Sequence, residues 1–209
     1  CLTTFKNLLI ERANQPPKAD LVSMLAHSPM VNMDDQQLLS TLILLIIGGN
    51  DTTRNSISGG LLALMNNPNE LAKLRADPSL VKSLVPEIIR WQTPLTHMRR
   101  TTTRDVQVRG VTIPAGAKVA MWYLSGNRDE QVIEDADRFI VGRKNPRHHL
   151  SFGFGIHRCV GNRLAEMQIQ ILWEEILSRG LTFELMAEPE RTYSHVVHGF
   201  ATMPVKLGR

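Results

Sequence analysis

Cys159 is the residue best placed to do chemistry in this chain. It lies in Phe152-Gly153-Phe154-Gly155-Ile156-His157-Arg158-Cys159-Val160-Gly161, ahead of a helical pattern that runs from about Gly161 to Ser178. Gly155 and Gly161 flank the cysteine and clear the space around it, since glycine serves where a backbone turns sharply or something approaches closely. The N-terminus of the following helix points back at the sulfur. N–H groups there stabilise negative charge and lower a thiol's pKa. The stretch reads as a holder for one thiolate, open on one side, against a flat ligand. Three other readings compete. A G-x-G-x-x-G dinucleotide loop fails because its third glycine position holds Arg158. A zinc site from Cys159, His157, His149 and His148 lacks a nearby second cysteine and fits no common zinc spacing. An inert, buried cysteine in a glycine-rich turn is the plainer alternative.

A second cluster is Gly48-Gly49-Asn50-Asp51-Thr52-Thr53, inside a long apolar helical pattern. Two glycines within a helix cost about 1 kcal/mol each relative to alanine. Close approach of a ligand is one reason to keep them, and an acid beside a hydroxyl follows at once. A polar kink capped locally is the competing reading. Glu87 and Arg90 have the i, i+3 spacing of a helical ion pair, a spacing that on its own more often marks a solvated surface pair.

The stretch around Cys159 is similar to the haem-binding signature of cytochrome P450 monooxygenases, F-G-x-G-x-H-x-C-x-G, at every fixed position. The resemblance implies that Cys159 is the axial thiolate of the iron of haem b, with Phe152 and Gly161 framing it. Gly48 to Thr53 resembles the family's oxygen-binding motif, G-G-x-[DE]-T-T. That implies that Gly48 and Gly49 lie against the cofactor, Thr52 hydrogen-bonds dioxygen and Asp51 helps relay protons. Glu87 and Arg90 resemble the family's E-x-x-R pair, which implies a structural triad completed by Arg138 of Asp137-Arg138-Phe139. Pro86 departs from the regular helix expected before Glu87 and bears on how that carboxylate is aimed. Arg100 stands where the family places a propionate arginine, with Arg99 as its competitor, and His157 is the second propionate candidate. Thr96, His97 and Met98, and then Val197, His198, Gly199 and Phe200, stand where the family contacts substrate. Taken alone, each of these is more often a packing residue.

The elements that must position these residues follow from periodicity and punctuation. Cys1 to Ala13 and Leu21 to Ala26 read as helices. Asp34, with Gln37 three residues on, reads as the cap of a helix that reaches about Met65. That helix is apolar nearly all round from Leu38 to Ile47 and is expected to be buried. Helices follow over Asn69–Arg75 and Ser79–Trp91, the latter kinked or restarted at Pro86. Val106 to Val119 reads as strand–turn–strand, Trp122 to Arg128 as a helical turn and Glu130 to Leu150 as a long ordered loop. Leu181 to Leu185 alternates like a strand, and Thr192 to Leu207 suggests a hairpin.

With 209 residues the chain can bury one sizeable core. The resemblance covers nearly all of the chain but only the C-terminal half of the family's fold, and the start at Cys1 without methionine reads as a fragment. The expected fold is therefore mainly α with small β-sheets, residues 1–209 forming the C-terminal part of a single cytochrome P450 domain. Net charge is +4, too little to argue for nucleic acid. Two cysteines indicate no disulfide framework and fit a reducing, cytoplasmic setting. The longest apolar run, Leu42 to Ile47, is too short for a membrane span. The family's chemistry is monooxygenation of a small apolar substrate with O2. Gly48 to Ser56, Arg90 to Leu95 and Met121-Trp122-Tyr123 resemble the bacterial alkane-hydroxylase branch, implying terminal hydroxylation of medium-chain n-alkanes or fatty acids. A terpene- or steroid-like substrate, a non-catalytic haem-thiolate module and a fragment that binds no haem are the alternatives. Arg143, Lys144, Arg147, Arg158 and Arg163 form a basic run without an acidic residue between Gly142 and Arg163. This run suits an acidic ferredoxin supplied by an NAD(P)H-dependent ferredoxin reductase, or is a solvated face.

Overall fold

A computed structural model describes residues 2–28 and 34–209; Cys1 lies outside them. Helices dominate, interrupted and followed by four two-stranded antiparallel sheets. The fold class is mainly α with small β-sheets. The chain divides into two compact units, Cys1–Gly48 and Gly49–Arg209.

In the first unit α1 (Leu2–Ala13) packs on α2 (Leu21–Ala26), with Leu9 and Ala26 buried. Asp20 caps α2 by accepting the Ser23 N–H at 2.8 Å. Asp34 does the same for α3 (Asp35–Asn66), accepting the Gln37 N–H at 2.8 Å. Each cap satisfies an N–H that the helix leaves unpaired. The first part of α3 is not buried as its sequence suggests. Leu42 is inaccessible, but Ile43, Leu44, Ile46 and Ile47 are exposed. A helix that is apolar all round needs neighbours on every side, and the described residues cover only one.

The core of the second unit gathers the end of α3, α4 (Pro68–Ala76), α5 (Val81–Gln92) and α7 (Asn162–Ser178). Leu64, Leu74, Leu84, Ile88, Ile169 and Trp173 are essentially inaccessible there. Full burial of such a side chain contributes about 1.5–3 kcal/mol. Helices α3 and α5 approach closely, since a Cβ at Gly60 would lie 2.6 Å from Ile88 Cδ1. Pro86 neither ends nor restarts α5, which runs unbroken from Val81 to Gln92. The proline removes one backbone bond, but Val85, Glu87, Ile88 and Ile89 are all buried around it, and their packing outweighs that loss.

Beyond α5, β1 (His97–Thr101) pairs with β4 (Lys118–Trp122), and β2 (Val106–Val108) with β3 (Val111–Ile113). The one-turn helix α6 (Tyr123–Gly126) follows β4. Residues 127–154 form an ordered loop without helix or strand. After α7, β5 (Thr182–Leu185) pairs with β8 (Val205–Gly208) and β6 (Glu190–Arg191) with β7 (Phe200–Thr202). The tail is thus not the single hairpin expected over 192–207. Local alternation marks a strand without naming its partner, and both tail strands pair with earlier ones.

Candidate functional site

A buried, fully partnered carboxylate on α5 anchors a polar cluster with the loop that follows α6. Glu87 is fully buried on α5. Its carboxylate accepts Arg90 Nε and Nη2 at 2.8 Å each, Arg143 Nε at 2.9 Å and the Ile140 N–H at 2.9 Å. Arg90 also donates to the carbonyls of Asn127, Ala136 and Arg138 at 2.7–2.9 Å. Arg143 donates to the carbonyls of Glu134, Asp135 and Arg138. The triad is therefore Glu87, Arg90 and Arg143, not Arg138. Arg138 supplies its carbonyl to both guanidiniums, while its own guanidinium is 71% exposed and lies 3.6 Å from Asp135. Arg138 closes a turn by donating its N–H to the Asp135 carbonyl at 3.0 Å, and the next residue, Phe139, is the one buried in the core. By sequence Arg143 belongs to the basic run; the structure commits it to Glu87 instead.

The loop that carries Cys159 turns at Gly153 and Gly155, whose φ angles are 68° and 75°. These are left-handed conformations that favour glycine. A Cβ at Gly155 would meet nothing within 4 Å, so backbone conformation rather than space calls for glycine there. The loop closes when the Cys159 N–H donates to the Phe152 carbonyl at 2.8 Å. Phe152 packs on the core and lies 5.5 Å from the His149 ring. Gly161 caps α7 two residues after the cysteine, and a Cβ there would make ordinary contact with Sγ at 4.0 Å. The Cys159 thiol is exposed. Phe154, Ile156 and Val160 around it are also exposed, Ile156 at 97% and Val160 at 94%. Among the described residues no three His, Cys, Asp or Glu side chains gather as a metal site, so His148, His149 and His157 do not make one with Cys159. One soft sulfur donor ringed by accessible apolar side chains fits a flat porphyrin whose iron takes a single thiolate. Burial is the main cause that pushes His149 down to about 4; Glu166 opposes the shift and Arg158 adds to it.

On α3, the half-buried Asp51 accepts from Arg54 Nη2 at 2.6 Å and from Asn55 Nδ2 at 3.2 Å. Asn55 is buried and accepts the Phe200 N–H at 3.2 Å. This residue, missed in the sequence, ties the acid to strand β7; its only local signal is its position one helical turn after Asp51. Thr52 is half-buried and its carbonyl accepts the Ser56 hydroxyl at 2.9 Å. A Cβ at Gly48 or Gly49 would meet nothing within 4 Å.

The two segments proposed to contact substrate come together. Leu95 forms a β-bridge with Val197, and the Thr96 N–H donates to the Val196 carbonyl at 2.9 Å. Thr96 Oγ1 donates to the His195 carbonyl at 2.7 Å, and Gln92 Nε2 to the His198 carbonyl at 2.6 Å. His97 stacks on Trp122 at 4.5 Å, and Met98 is exposed. Phe200 is buried, with the Arg191 guanidinium 4.1 Å above its ring. Burial pushes the His198 pKa down, against a hydrogen bond to the Gln92 carbonyl. Arg100 is half-buried on β1 and donates to the Arg99 carbonyl at 3.0 Å, whereas Arg99 and His157 are exposed.

The basic run is smaller than its sequence implies. Arg143 is committed to Glu87, while Arg147 and Arg163 both pair with Glu166, at 3.1 and 3.3 Å. Lys144 and Arg158 remain exposed. Among the described residues, no helix is long and apolar enough to cross a membrane.

The cytochrome P450 family model matches residues 10–207. A solved structure, cytochrome P450-153 from Novosphingobium aromaticivorans, is 47% identical with a TM-score of 0.93, covering 99% of this chain and 52% of that one. Linalool 8-monooxygenase of Pseudomonas putida is 39% identical across 95% of this chain and 49% of its own length. A methyl-branched lipid omega-hydroxylase of Mycobacterium bovis is 38% identical across 89% of this chain and 44% of its own length. The chain thus spans about half the length of the curated relatives it matches. A match running through both the Glu87 cluster and the Cys159 loop, in sequence and in fold, means that this chain belongs to the cytochrome P450 family.

Proposed function

We infer that this chain is the C-terminal, haem-bearing part of a monooxygenase that inserts one atom of O2 into an unactivated C–H bond. The observation that carries this reading is the exposed Cys159 thiol, pinned through its own N–H to the Phe152 carbonyl at the start of α7. Haem b, when bound, supplies dioxygen activation, and thiolate ligation favours O–O cleavage. Cys159 would hold the iron, Phe152 and Gly161 would frame that ligand, and Arg100 and His157 would answer the propionates, since buried carboxylates need cationic partners. Gly48 and Gly49 leave α3 without side chains there, which would suit a close approach by the cofactor and O2. The Thr52 hydroxyl would pass a proton inward and Asp51 would resupply it. Asp51 is held by Arg54 and Asn55, one on each oxygen, and each oxygen keeps a lone pair with which it would take part in that relay.

The substrate we favour is a medium-chain n-alkane or fatty acid hydroxylated at its terminus. The omega-hydroxylase relative supports it. The linalool monooxygenase relative, of similar identity, keeps a terpene-like substrate as the second reading. Thr96, His97, Met98, Val197 and Phe200 would shape that choice. Electrons would come from an acidic ferredoxin, reduced by its NAD(P)H-dependent reductase and docked through Arg158 and Lys144. A first-electron rate indifferent to ionic strength would remove that docking mode.

Cys159→Ala in the whole protein tests the central assignment. The thiolate-type Soret band of the reduced, CO-bound form should vanish, and hydroxylation of n-alkanes with it. Persistence of that band would mean that another residue ligates the iron.

A further inference from the structure

Asn127, at the end of α6, is wholly inaccessible. Its side-chain Oδ1 accepts the Leu150 N–H at 2.7 Å. Its Nδ2 donates to the hydroxyls of Thr93 and Ser151, at 2.8 Å each. Those hydroxyls spend their own protons on the carbonyls of Arg90 and Ile89, at 2.6 and 2.8 Å. A backbone N–H can only donate, and a hydroxyl whose proton is committed can only accept. The site therefore demands an amide in one orientation, and a carboxylate of the same shape loses both donors. The Asn127 carbonyl, for its part, accepts Arg90 Nη1 at 2.8 Å, the guanidinium that Glu87 also binds.

This one side chain joins the last turn of α5 to Leu150 and Ser151, the residues directly before Phe152. Phe152 supplies the carbonyl that accepts the Cys159 N–H. Fully satisfied buried polar networks rigidify what they connect. We propose that Asn127 is the positioning residue of the thiolate loop: it anchors residues 150–151 to α5, which fixes the Phe152 carbonyl and through it the Cys159 backbone. The consequence for the iron rests on Cys159 being its ligand; the anchoring of the loop does not.

Asn127→Asp in the whole, haem-loaded protein tests this against Ile169→Val, a methyl deletion in the core away from the network. The readouts are amide hydrogen exchange at Cys159, the reduced CO-bound spectrum and global stability. Asn127→Asp should speed Cys159 exchange by about tenfold or more beyond any change in Ile169→Val, because the opening is local. It should also convert part of the thiolate-type band while haem stays bound. Should Asn127→Asp not fold, Ser151→Ala removes one acceptor of the same amide and should shift both readouts in the same direction by less. If exchange and band follow global stability alone, as in Ile169→Val, Asn127 is only core filling and the proposal is overturned. A thiolate-type band surviving in Cys159→Ala would strike the ligand assignment, while the exchange result would still report on Asn127.

Discussion

The cluster around Glu87 and the loop around Cys159 both engage the long irregular stretch that follows α6, and they treat polar groups in opposite ways. Around Glu87, two buried guanidiniums, one buried carboxylate and five backbone carbonyls are joined in one network. Around Cys159 the sulfur is exposed and its neighbours Ile156 and Val160 are nearly bare. Buried charge is tolerated only when every partner is present, so the first region can only serve rigidity. The second leaves a ligand and an apolar rim open, which is the state a cofactor site needs.

The comparison breaks most visibly at Glu87. Glu87→Gln leaves Arg90 and Arg143 buried around a neutral amide and should cost about 3–5 kcal/mol in denaturant unfolding. Arg143→Ala should approach the same loss, whereas Arg138→Ala should stay within about 0.5 kcal/mol. The reverse order for the two arginines would return the triad to Arg138.

Next in size is a pH effect at His149, which feels Glu87 and Arg90 on one side and Arg158 and Glu166 on the other. Its pKa falls from 6.5 to about 4 in the folded protein. Between those values the unfolded chain binds a proton that the folded one does not. His149 therefore costs no stability above about pH 6.5 and progressively destabilises the fold as pH drops toward 4, by up to about 3 kcal/mol. Stability measured against pH should flatten over that window in His149→Asn. A profile unchanged by the substitution would show that burial does not hold this ring neutral.

Smaller effects belong to the exposed side. Glu166→Gln removes two pairs, with the exposed Arg147 and Arg163, and should cost about 1 kcal/mol, less in high salt. Cys159→Ala should change the stability of the cofactor-free chain by no more than about 0.5 kcal/mol, because an exposed thiol supports little packing. A large loss there would mean that the thiol is part of the core, and the contrast with Glu87 would fail.

Much of this was legible in the chain itself wherever the signal is local. The cap Asp34 acts on an N–H group three residues away. Glycines 153 and 155 occupy backbone conformations that few other residues accept, and the apolar spacing of α5 and α7 repeats within each helix. The Cys159 loop is built almost wholly from such short-range terms, so ten consecutive residues sufficed to mark it. Tertiary structure decided whatever joins distant segments. Glu87 chose Arg143 across 56 residues rather than Arg138, because the chain between them turns Phe139 into the core. Phe200 reached Asn55 across 145 residues, and the tail strands found partners outside their own hairpin. The apolar face of α3 stayed exposed although its composition called for burial. Sequence spacing specifies which way a side chain leaves its own helix or turn; what it meets there depends on how the remaining elements pack.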